Sequence, residues 1–550
     1  MQQWDFIIIG AGSAGCVLAN RLSADGGCRV LVLEAGGTDQ RPSVRVPIGY
    51  ALSYRDPAVN WMYQTQPEAA LGGRSCYWPR GKLLGGSSSI NAMAYVRGLP
   101  SDFEHWRDRG NPGWGWQDVL PFFKRSENHT GGGSEYHGGD GELRVSDMAQ
   151  QVHPLCALFL RSANRLGFPD SPDFNGPQME GVGIYQVNTR GGWRESSASA
   201  FLRPALRRAN LSVFTDSLAT RLLLQGRRVV GVEYLRGGKL QQAAAAREVV
   251  LCGGAINSPQ LLQLSGIGDA ALLQNHGINV AHHAPMVGRG LQDHLHITHV
   301  YRATVPTLND DLYPFAAKVR AAGRYLLRRD GPLSMSVNQA GGFVRSDPAQ
   351  DQANMQLYFN PASYSTKTSE RRRTMNTDPF PGFSMSVHAC RPSSRGDITI
   401  ASADPRAAPL IRPNYLSTEK DRQEALAGAR LLRTLAAASP LRDVIHSEIL
   451  PGPDAVSDDA LLQDFRRRAD TIFHPVGTCA MGPSPDHAVV DSRLRVYGLA
   501  GLRVIDASVF PCITSGNSNA PTIMVAEKGA QMVLQDAAGH QPASTSTRQS

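Results

Sequence analysis

The sequence lacks the features that mark several large classes of protein. Its eight cysteines are scattered without a C-x-x-C pair, which predicts reduced thiols rather than a disulfide framework or a zinc site. No apolar run approaches the roughly eighteen residues of a membrane-spanning helix, and no signal segment precedes the first strand. We therefore expect a cytoplasmic protein without a transmembrane segment, for which peripheral contact with the inner membrane face is still allowed.

Charge and motif content exclude further functions. Charged residues make up only 19% of the chain, and despite a formal net charge of +8 no long basic run is interleaved with aromatic residues. The nearest basic cluster, Arg371 to Arg373, is typical of a solvated loop, with contact to a phosphate or an anionic substrate as the alternative. Nucleic acid is therefore not an expected partner. The chain has neither a G-x-x-x-x-G-K-[ST] loop nor a G-x-S-x-G elbow, which argues against nucleotide hydrolysis and hydrolase chemistry.

A histidine cluster also fails to make a metal site. His294, His296 and His299 form H-x-H-x-x-H, but a strand would place the first two on one face and the third on the other. No fourth ligand is evident. We expect a structural or hydrogen-bonding role and no metal.

The first 35 residues predict a nucleotide-binding βαβ unit. Residues 4–9 have the pattern of a buried strand, 10–15 form a glycine-rich turn and 16–22 continue as a helix. A second apolar run at 30–33 ends on Glu34, the acidic residue that this motif places about twenty residues after the turn.

Each residue type in this unit has a physical reason. Gly10 permits the tight turn, Gly12 lets the backbone approach a pyrophosphate, and Gly15 lets helix and strand pack closely. The helix N-terminus offers N–H groups to the phosphates, and Glu34 can accept hydrogen bonds from a ribose. These residues do not distinguish FAD from NAD.

Two further glycine-rich segments lie at 81–91 and 254–268. The first pairs glycines with hydroxyl residues, which suits a backbone that passes close to a flat ring or a phosphate. The second follows a predicted strand at 248–252 and carries Ser258 and Pro259 at plausible helix-start positions. Each segment alone fits a structural turn as well as a cofactor contact.

Together, these segments resemble a known family. Segments 81–91 and 254–268 are similar to the two signature motifs of the glucose/methanol/choline (GMC) family of flavin oxidoreductases, and residues 10–15 stand at the N-terminus as that family requires. The similarity extends to Leu534. Other segments are most similar to bacterial alcohol dehydrogenases that act on aliphatic alcohols, with choline dehydrogenases somewhat more distant; these segments are 60–61, 78–82, 91–98 and 292–294.

The resemblance implies FAD rather than NAD, and it implies which residues contact FAD. The expected cofactor-binding residues are Gly10, Gly12, Ser13, Ala14, Gly15, Glu34, Ala35, Trp61, Arg80, Gly81, Gly85, Gly86, Ser87, Asn91, Ala92, Met93, Ala94, Ala219, Asp506, Ala507, Asn519 and Thr522. Where choline oxidases of the family carry a histidine bonded covalently to FAD, this chain has Ile90. We therefore expect non-covalent FAD.

The resemblance also implies a catalytic pair. A histidine beside proline is by itself compatible with a structural role, but residues 473–478 match the family segment whose histidine faces the flavin. Residues 516–522 match the segment that carries its partner, here Asn519. We expect His474 to act as general base while Asn519 orients the substrate and donates a hydrogen bond to the developing alkoxide.

The implied reaction is oxidation of a primary alcohol to an aldehyde, with hydride transfer to flavin N5 and electrons passed to a quinone or other carrier. Choline dehydrogenation and alcohol oxidation by O2 are alternatives within the family. An FAD-containing hydroxynitrile lyase is an alternative of another class. Choline would need an aromatic cage, for which the candidates are Tyr358, Phe359, Tyr364 and Phe380.

The expected fold is α/β, with a Rossmann-like FAD-binding domain and a second, substrate-binding domain built on an antiparallel sheet. Strand-like runs alternate with turn clusters between 294 and 400, and helices are predicted at 419–438, 458–468 and 522–534. The expected segments are 1–150 (FAD-binding, with loop and lid region), 151–200 (substrate), 201–293 (FAD-binding), 294–450 (mainly substrate), 451–535 (FAD-binding, catalytic) and 536–550 (disordered tail).

Overall fold

The structure is a computed structural model that describes residues 2–364 and 376–539. The arginine cluster at 371–373 and most of the predicted tail lie outside the described residues. Among the described helices, none combines the length and apolar character needed to cross a bilayer.

The strands, in chain order, are β1 (Gln2–Ile9), β2 (Val30–Leu33), β3 (Tyr63–Gln64), β4 (Tyr77–Trp78), β5 (Glu127–His129), β6 (Leu143–Val145), β7 (Gly181–Ile184), β8 (Thr189–Arg190), β9 (Trp193–Arg194), β10 (Leu211–Phe214), β11 (Ser217–Gln225), β12 (Arg228–Arg236), β13 (Lys239–Leu251), β14 (Ile267–Gly268), β15 (His282–His283), β16 (Arg289–Leu291), β17 (Leu295–Ala303), β18 (Ala340–Val344), β19 (Met355–Asn360), β20 (Gly382–Ala389), β21 (Gly396–Thr399), β22 (Leu410–Arg412), β23 (Ile445–Leu450), β24 (Asp470–Thr471) and β25 (Leu502–Val504).

The α-helices are α1 (Ser13–Leu22), α2 (Pro42–Arg45), α3 (Tyr50–Ser53), α4 (Pro100–Asp108), α5 (Trp116–Ser126), α6 (Leu155–Arg165), α7 (Arg203–Ala205), α8 (Gly254–Leu264), α9 (Ala270–Asn275), α10 (Leu308–Leu312), α11 (Phe315–Arg328), α12 (Glu419–Ala437), α13 (Asp458–Arg468) and α14 (Asn519–Gly539).

One seven-stranded sheet is built on the N-terminal unit, in the order β10-β2-β1-β13-β12-β11 with β25 also on β13. β10, β2, β1, β13 and β25 run parallel, and β12 and β11 continue the sheet antiparallel. β2 is buried throughout, as is usual for a parallel strand covered by helices on both faces. The carboxyl ends of β1, β2, β13 and β25 meet at one edge, where open α/β sheets bind ligands.

The other seven-stranded sheet is antiparallel, in the order β23-β17-β20-β19-β18-β7 with β24 also on β17. α12 packs against β20 on one face. The side chains alternate along β17, so Ile297 and Tyr301 join the core while His296, Thr298 and Val300 line a cavity on the opposite face.

The α/β fold class is confirmed, with both sheet types that the sequence predicts. β2 and α13 have the predicted bounds, whereas α14 begins earlier and ends later than the predicted 522–534. The chain also leaves the antiparallel sheet only after β24, although the predicted segment boundary stands at 451.

Candidate active site

A cavity of about 2380 Å³ lies between the two sheets. It begins at the carboxyl edge of the parallel sheet and continues to the face of the antiparallel sheet. Almost every predicted site residue lines it, including His474 and Asn519; the exceptions are Gly15 and Gly85.

The glycine turn after β1 contains two glycines that the fold requires, Gly10 and Gly15, and one that it does not, Gly12. Gly10 has φ +101°, and a Cβ on it would approach Cys252 O to 2.5 Å. A Cβ on Gly15 would overlap Gly10 O. A Cβ on Gly12, in contrast, would come no closer than 3.9 Å to any neighbour, Gly86 Cα. Protein packing therefore does not require the missing side chain at Gly12, whose backbone faces the open cavity.

Glu34 joins the end of β2 to this turn. Its carboxylate accepts 2.8 Å hydrogen bonds from the N–H groups of Ala11 and Gly36. Burial raises the pKa of Glu34 to about 7, although those two N–H groups oppose the shift. The carboxylate lines the cavity, at the place where the motif puts a ribose.

The second glycine-rich segment lies directly on the first. Gly85 N–H donates to Ala11 O at 2.7 Å, and Gly86, at φ +52°, is so close that a Cβ on it would come within 2.7 Å of Gly12 Cα. Ser87 and the stretch from Asn91 to Ala94 then line the cavity.

Asp506 connects the third glycine-rich segment to the C-terminal part of the chain. Its Oδ2 accepts from Gly254 N–H at 2.8 Å and from the Ser258 hydroxyl at 2.6 Å, and its Oδ1 accepts from Ser508 N–H at 2.8 Å. The start of α8 is thereby held at the end of β25, next to Ala507.

The position of His474 is fixed by the backbone conformation of the residue before it and by a hydrogen bond from its own N–H group. Phe473 adopts a left-handed conformation with φ +71°, and His474 N–H donates to Asp293 Oδ1 at 2.8 Å. The other Asp293 oxygen accepts from the hydroxyl groups of Thr471 and Tyr415. This buried carboxylate fixes the loop that carries the histidine.

A chain of hydrogen bonds assigns the tautomer of His474. His294 Nε2 faces Cys390 O at 2.9 Å and must donate, because a carbonyl only accepts. Burial lowers the pKa of His294 to about 3, so the ring is neutral and its Nδ1 accepts. His474 Nδ1, at 3.0 Å, is then the donor, which leaves His474 Nε2 without a proton.

That Nε2 atom accepts a hydrogen bond of 3.1 Å from Asn517 Nδ2. The Asn517 amide is oriented by Tyr358 and Gln356, which both donate to its Oδ1 at 3.4 Å. Asn519 Oδ1 instead accepts from Ser13 Oγ at 2.8 Å. Contact with His474 thus belongs to Asn517 and not to Asn519, a correction to the expected pairing; Asn519 stands where α14 begins, beside the glycine turn.

The environment keeps His474 uncharged. Burial, together with the positive charges possible on His388, Arg80 and His296, holds the pKa of His474 well below the ordinary histidine value. A neutral imidazole with an unprotonated Nε2 facing a cavity is suited to accept a proton.

Three residues of this arrangement were not predicted as site residues: Asn517, Asp293 and His294. All three lie in segments that the resemblance singles out, 292–294 and 516–522, and His294 also belongs to the H-x-H-x-x-H pattern, for which a structural or hydrogen-bonding role is expected. The described residues contain no group of three or more potential ligands that could hold a metal ion.

Comparison with known proteins adds to this geometry. Family models described as GMC oxidoreductase match residues 4–296 and 392–526. An "alcohol dehydrogenase [acceptor]" of Pseudomonas putida is 44% identical, over 96% of this chain and 96% of its own length. An "oxygen-dependent choline dehydrogenase" of Photobacterium profundum is 41% identical, over 96% and 93%. A variant of Aspergillus oryzae formate oxidase, solved to examine FAD modification, superposes with a TM-score of 0.90 at 26% identity, over 98% and 99%.

Proposed function

Because the chain belongs to the GMC oxidoreductase family, we propose that it is an FAD-dependent dehydrogenase that oxidises a primary alcohol to an aldehyde. His474 acts as general base, and the electrons leave to a quinone or another carrier. The observation that carries the proposal is the unprotonated Nε2 of a neutral, buried histidine on a cavity that also reaches the glycine turn.

FAD fits the residues present. Gly12 leaves its backbone open to a pyrophosphate, the uncapped N-terminus of α1 offers N–H groups, and Glu34 offers carboxylate oxygens to a ribose. Ala219 lines the same end, where we expect the adenine. Bound FAD supplies the hydride acceptor for the carbinol carbon.

In this proposal two asparagines, Asn517 and Asn519, have different roles beside His474 and beside the glycine turn. Asn517 holds the lone pair of His474 Nε2 in position until the substrate hydroxyl arrives. The bond from Ser13 occupies Asn519 Oδ1 and holds Asn519 beside the glycine turn, at the cofactor end of the cavity. Asn517 Nδ2, which already lies on His474 Nε2, is then the amide group that can donate to the substrate oxygen as negative charge develops. An amide donor does this without adding a charge that needs a partner.

The charge of the cavity favours a neutral alcohol over choline. Of the candidate cage residues, Tyr358, Tyr364 and Phe380 line the cavity but Phe359 packs in the core. Among the residues that the structure describes, six lysines and arginines line the cavity against four acidic residues; the basic residues are Arg55, Arg74, Arg80, Lys318, Arg467 and Arg468. Two of the acids, Glu34 and Asp506, accept backbone N–H groups at the nucleotide end.

This charge balance predicts discrimination between choline and its carbon isostere, the alcohol in which a tert-butyl group replaces trimethylammonium. The isostere should show kcat/KM higher than choline by about tenfold or more, because bringing an unpaired cation into a basic, buried site is costly. The pair matches size and shape, so charge alone is compared. Equal values, or a preference for choline, would favour the choline dehydrogenase alternative.

We also predict that FAD is held without a covalent bond. Ile90 has no nucleophilic atom and packs against Val44, Val59 and Leu83. Acid precipitation of the purified enzyme should leave the flavin in the supernatant, and protein treated with proteinase before precipitation should release the same amount. A yellow pellet would contradict the prediction.

Anaerobic mixing with a primary aliphatic alcohol tests the reaction itself. The flavin absorbance should bleach, and the colour should return faster with an artificial quinone than with O2. A hydroxynitrile lyase would leave the flavin oxidised, and rapid reoxidation by O2 alone would indicate an oxidase.

A further inference from the structure

α11 presents large apolar side chains to solvent. Eleven large hydrophobic side chains are exposed in the part of the chain that the structure describes, and five of them fall between residues 313 and 327: Tyr313, Phe315, Val319, Leu326 and Leu327. Phe315 is 83% exposed and Leu327 is 87% exposed. Such a patch on a soluble protein marks a binding surface.

On α11 small residues mostly face the protein and large apolar residues face solvent, whereas a surface helix usually buries its large apolar residues. The residues that α11 buries against the protein are Ala317, Ala321 and Tyr325, spaced by four. At about 100° per residue, Phe315, Val319 and Leu326 fall within an arc of about 40° on the opposite side. We call these three residues, together with Leu327, which is exposed about 100° further round the helix from Leu326, the outer face of α11.

Basic residues flank the outer face. Residues 315–328 include Lys318, Arg320, Arg324 and Arg328 and no acidic residue. Two of them form ion pairs with exposed aspartates: Arg320 lies 3.8 Å from Asp311 and Arg324 lies 2.6 Å from Asp330. An apolar stripe bordered by lysine and arginine is the pattern of a helix that lies in the interface of an anionic membrane.

The outer face also borders the entrance of the cavity. Leu312, Tyr313, Pro314, Phe315 and Lys318 all line the cavity that contains His474. A surface in contact with α11 would therefore lie next to the opening through which a substrate or an electron acceptor enters.

We infer that the outer face of α11 docks the enzyme on the surface of an anionic lipid bilayer, with the cavity opening at that surface. A second copy of the chain is a poorer occupant. A two-fold dimer would bring the same basic helix of both copies together, and the like charges would repel. Lipid phosphates supply the complementary charge.

The test is co-sedimentation of the holoenzyme with vesicles of phosphatidylcholine containing phosphatidylglycerol, and with vesicles of phosphatidylcholine alone. The variant Val319→Ser/Leu326→Ser/Leu327→Ser removes three residues of the outer face, none of which lines the cavity. We expect binding to anionic vesicles that weakens with salt, and a loss of about tenfold or more in the partition coefficient of the variant.

A variant of the same composition provides the control. Val456→Ser/Leu166→Ser/Leu240→Ser changes exposed residues elsewhere, and it should bind like wild type. Both variants should oxidise a short-chain alcohol with a soluble acceptor at the wild-type rate, which separates docking from the proposed reaction. Undiminished vesicle binding by the outer-face variant, absence of wild-type binding, or a wild-type dimer that this variant dissociates would each overturn the inference.

Discussion

Replacing His474 with alanine should lower the rate constant for anaerobic flavin reduction by the alcohol about a hundredfold or more. The substrate hydroxyl must lose its proton as hydride leaves, and His474 Nε2 is the unprotonated nitrogen that this hydrogen-bond chain presents at the cavity. Stopped-flow absorbance of the flavin band measures the rate constant directly.

The pH dependence should separate the base from a structural role. In wild type the pKa of His474 is lowered by burial and by nearby positive groups, so the base is unprotonated throughout the neutral range and the rate should fall only below the ordinary histidine value of about 6.5. In the variant the rate should instead rise with pH as free alkoxide becomes available. The control His487→Ala removes an exposed histidine and should behave like wild type. Near-normal reduction by His474→Ala would refute the assignment.

Replacing Gly12 with valine should lower the affinity for FAD by about a hundredfold while the protein still folds. The added side chain meets no protein atom closer than 3.9 Å at its Cβ, and the φ of −79° at Gly12 suits any residue. It does, however, enter the space that we assign to the pyrophosphate. The flavin content of purified protein and titration of apoprotein with FAD measure the loss.

Two comparisons make this result interpretable. Gly323→Val places the same side chain where the backbone has open space, and it should leave FAD binding unchanged. Gly15→Val should fail to fold, because its Cβ would overlap Gly10 O. Wild-type flavin content in a folded Gly12→Val variant would show that the cofactor lies elsewhere.

Elements whose identity depends on local pattern could be predicted from the sequence. β2 is a buried parallel strand, and such strands are continuous apolar runs with clear ends. α13 has the expected bounds because Ser457 caps its N-terminus, with its side chain accepting from Ala460 N–H, and three arginines end it. The sequence did not predict α10 and α11, although alanine, leucine and arginine favour helix, because turn-like residues surround them.

Contacts that depend on tertiary structure could not be predicted in this way. His294 and His474 are 180 residues apart in the chain, and the pairing of β24 with β17, continued by the bridge between Gln292 and Val476, brings their Nδ1 atoms to 3.0 Å. Likewise, the sequence predicts that one segment of the site contains both Asn517 and Asn519, but which of the two contacts His474 depends on how the start of α14 is oriented. No periodicity in the sequence reports that orientation.

The central claim is that the histidine near the C-terminus and the glycine turn near the N-terminus serve one cofactor. A crystal structure of the FAD-bound enzyme tests it most directly. We predict the pyrophosphate against Gly12 and the isoalloxazine ring in contact with the His474 side chain. A ring remote from His474, or a nicotinamide dinucleotide in the site beside Gly12, would contradict the account.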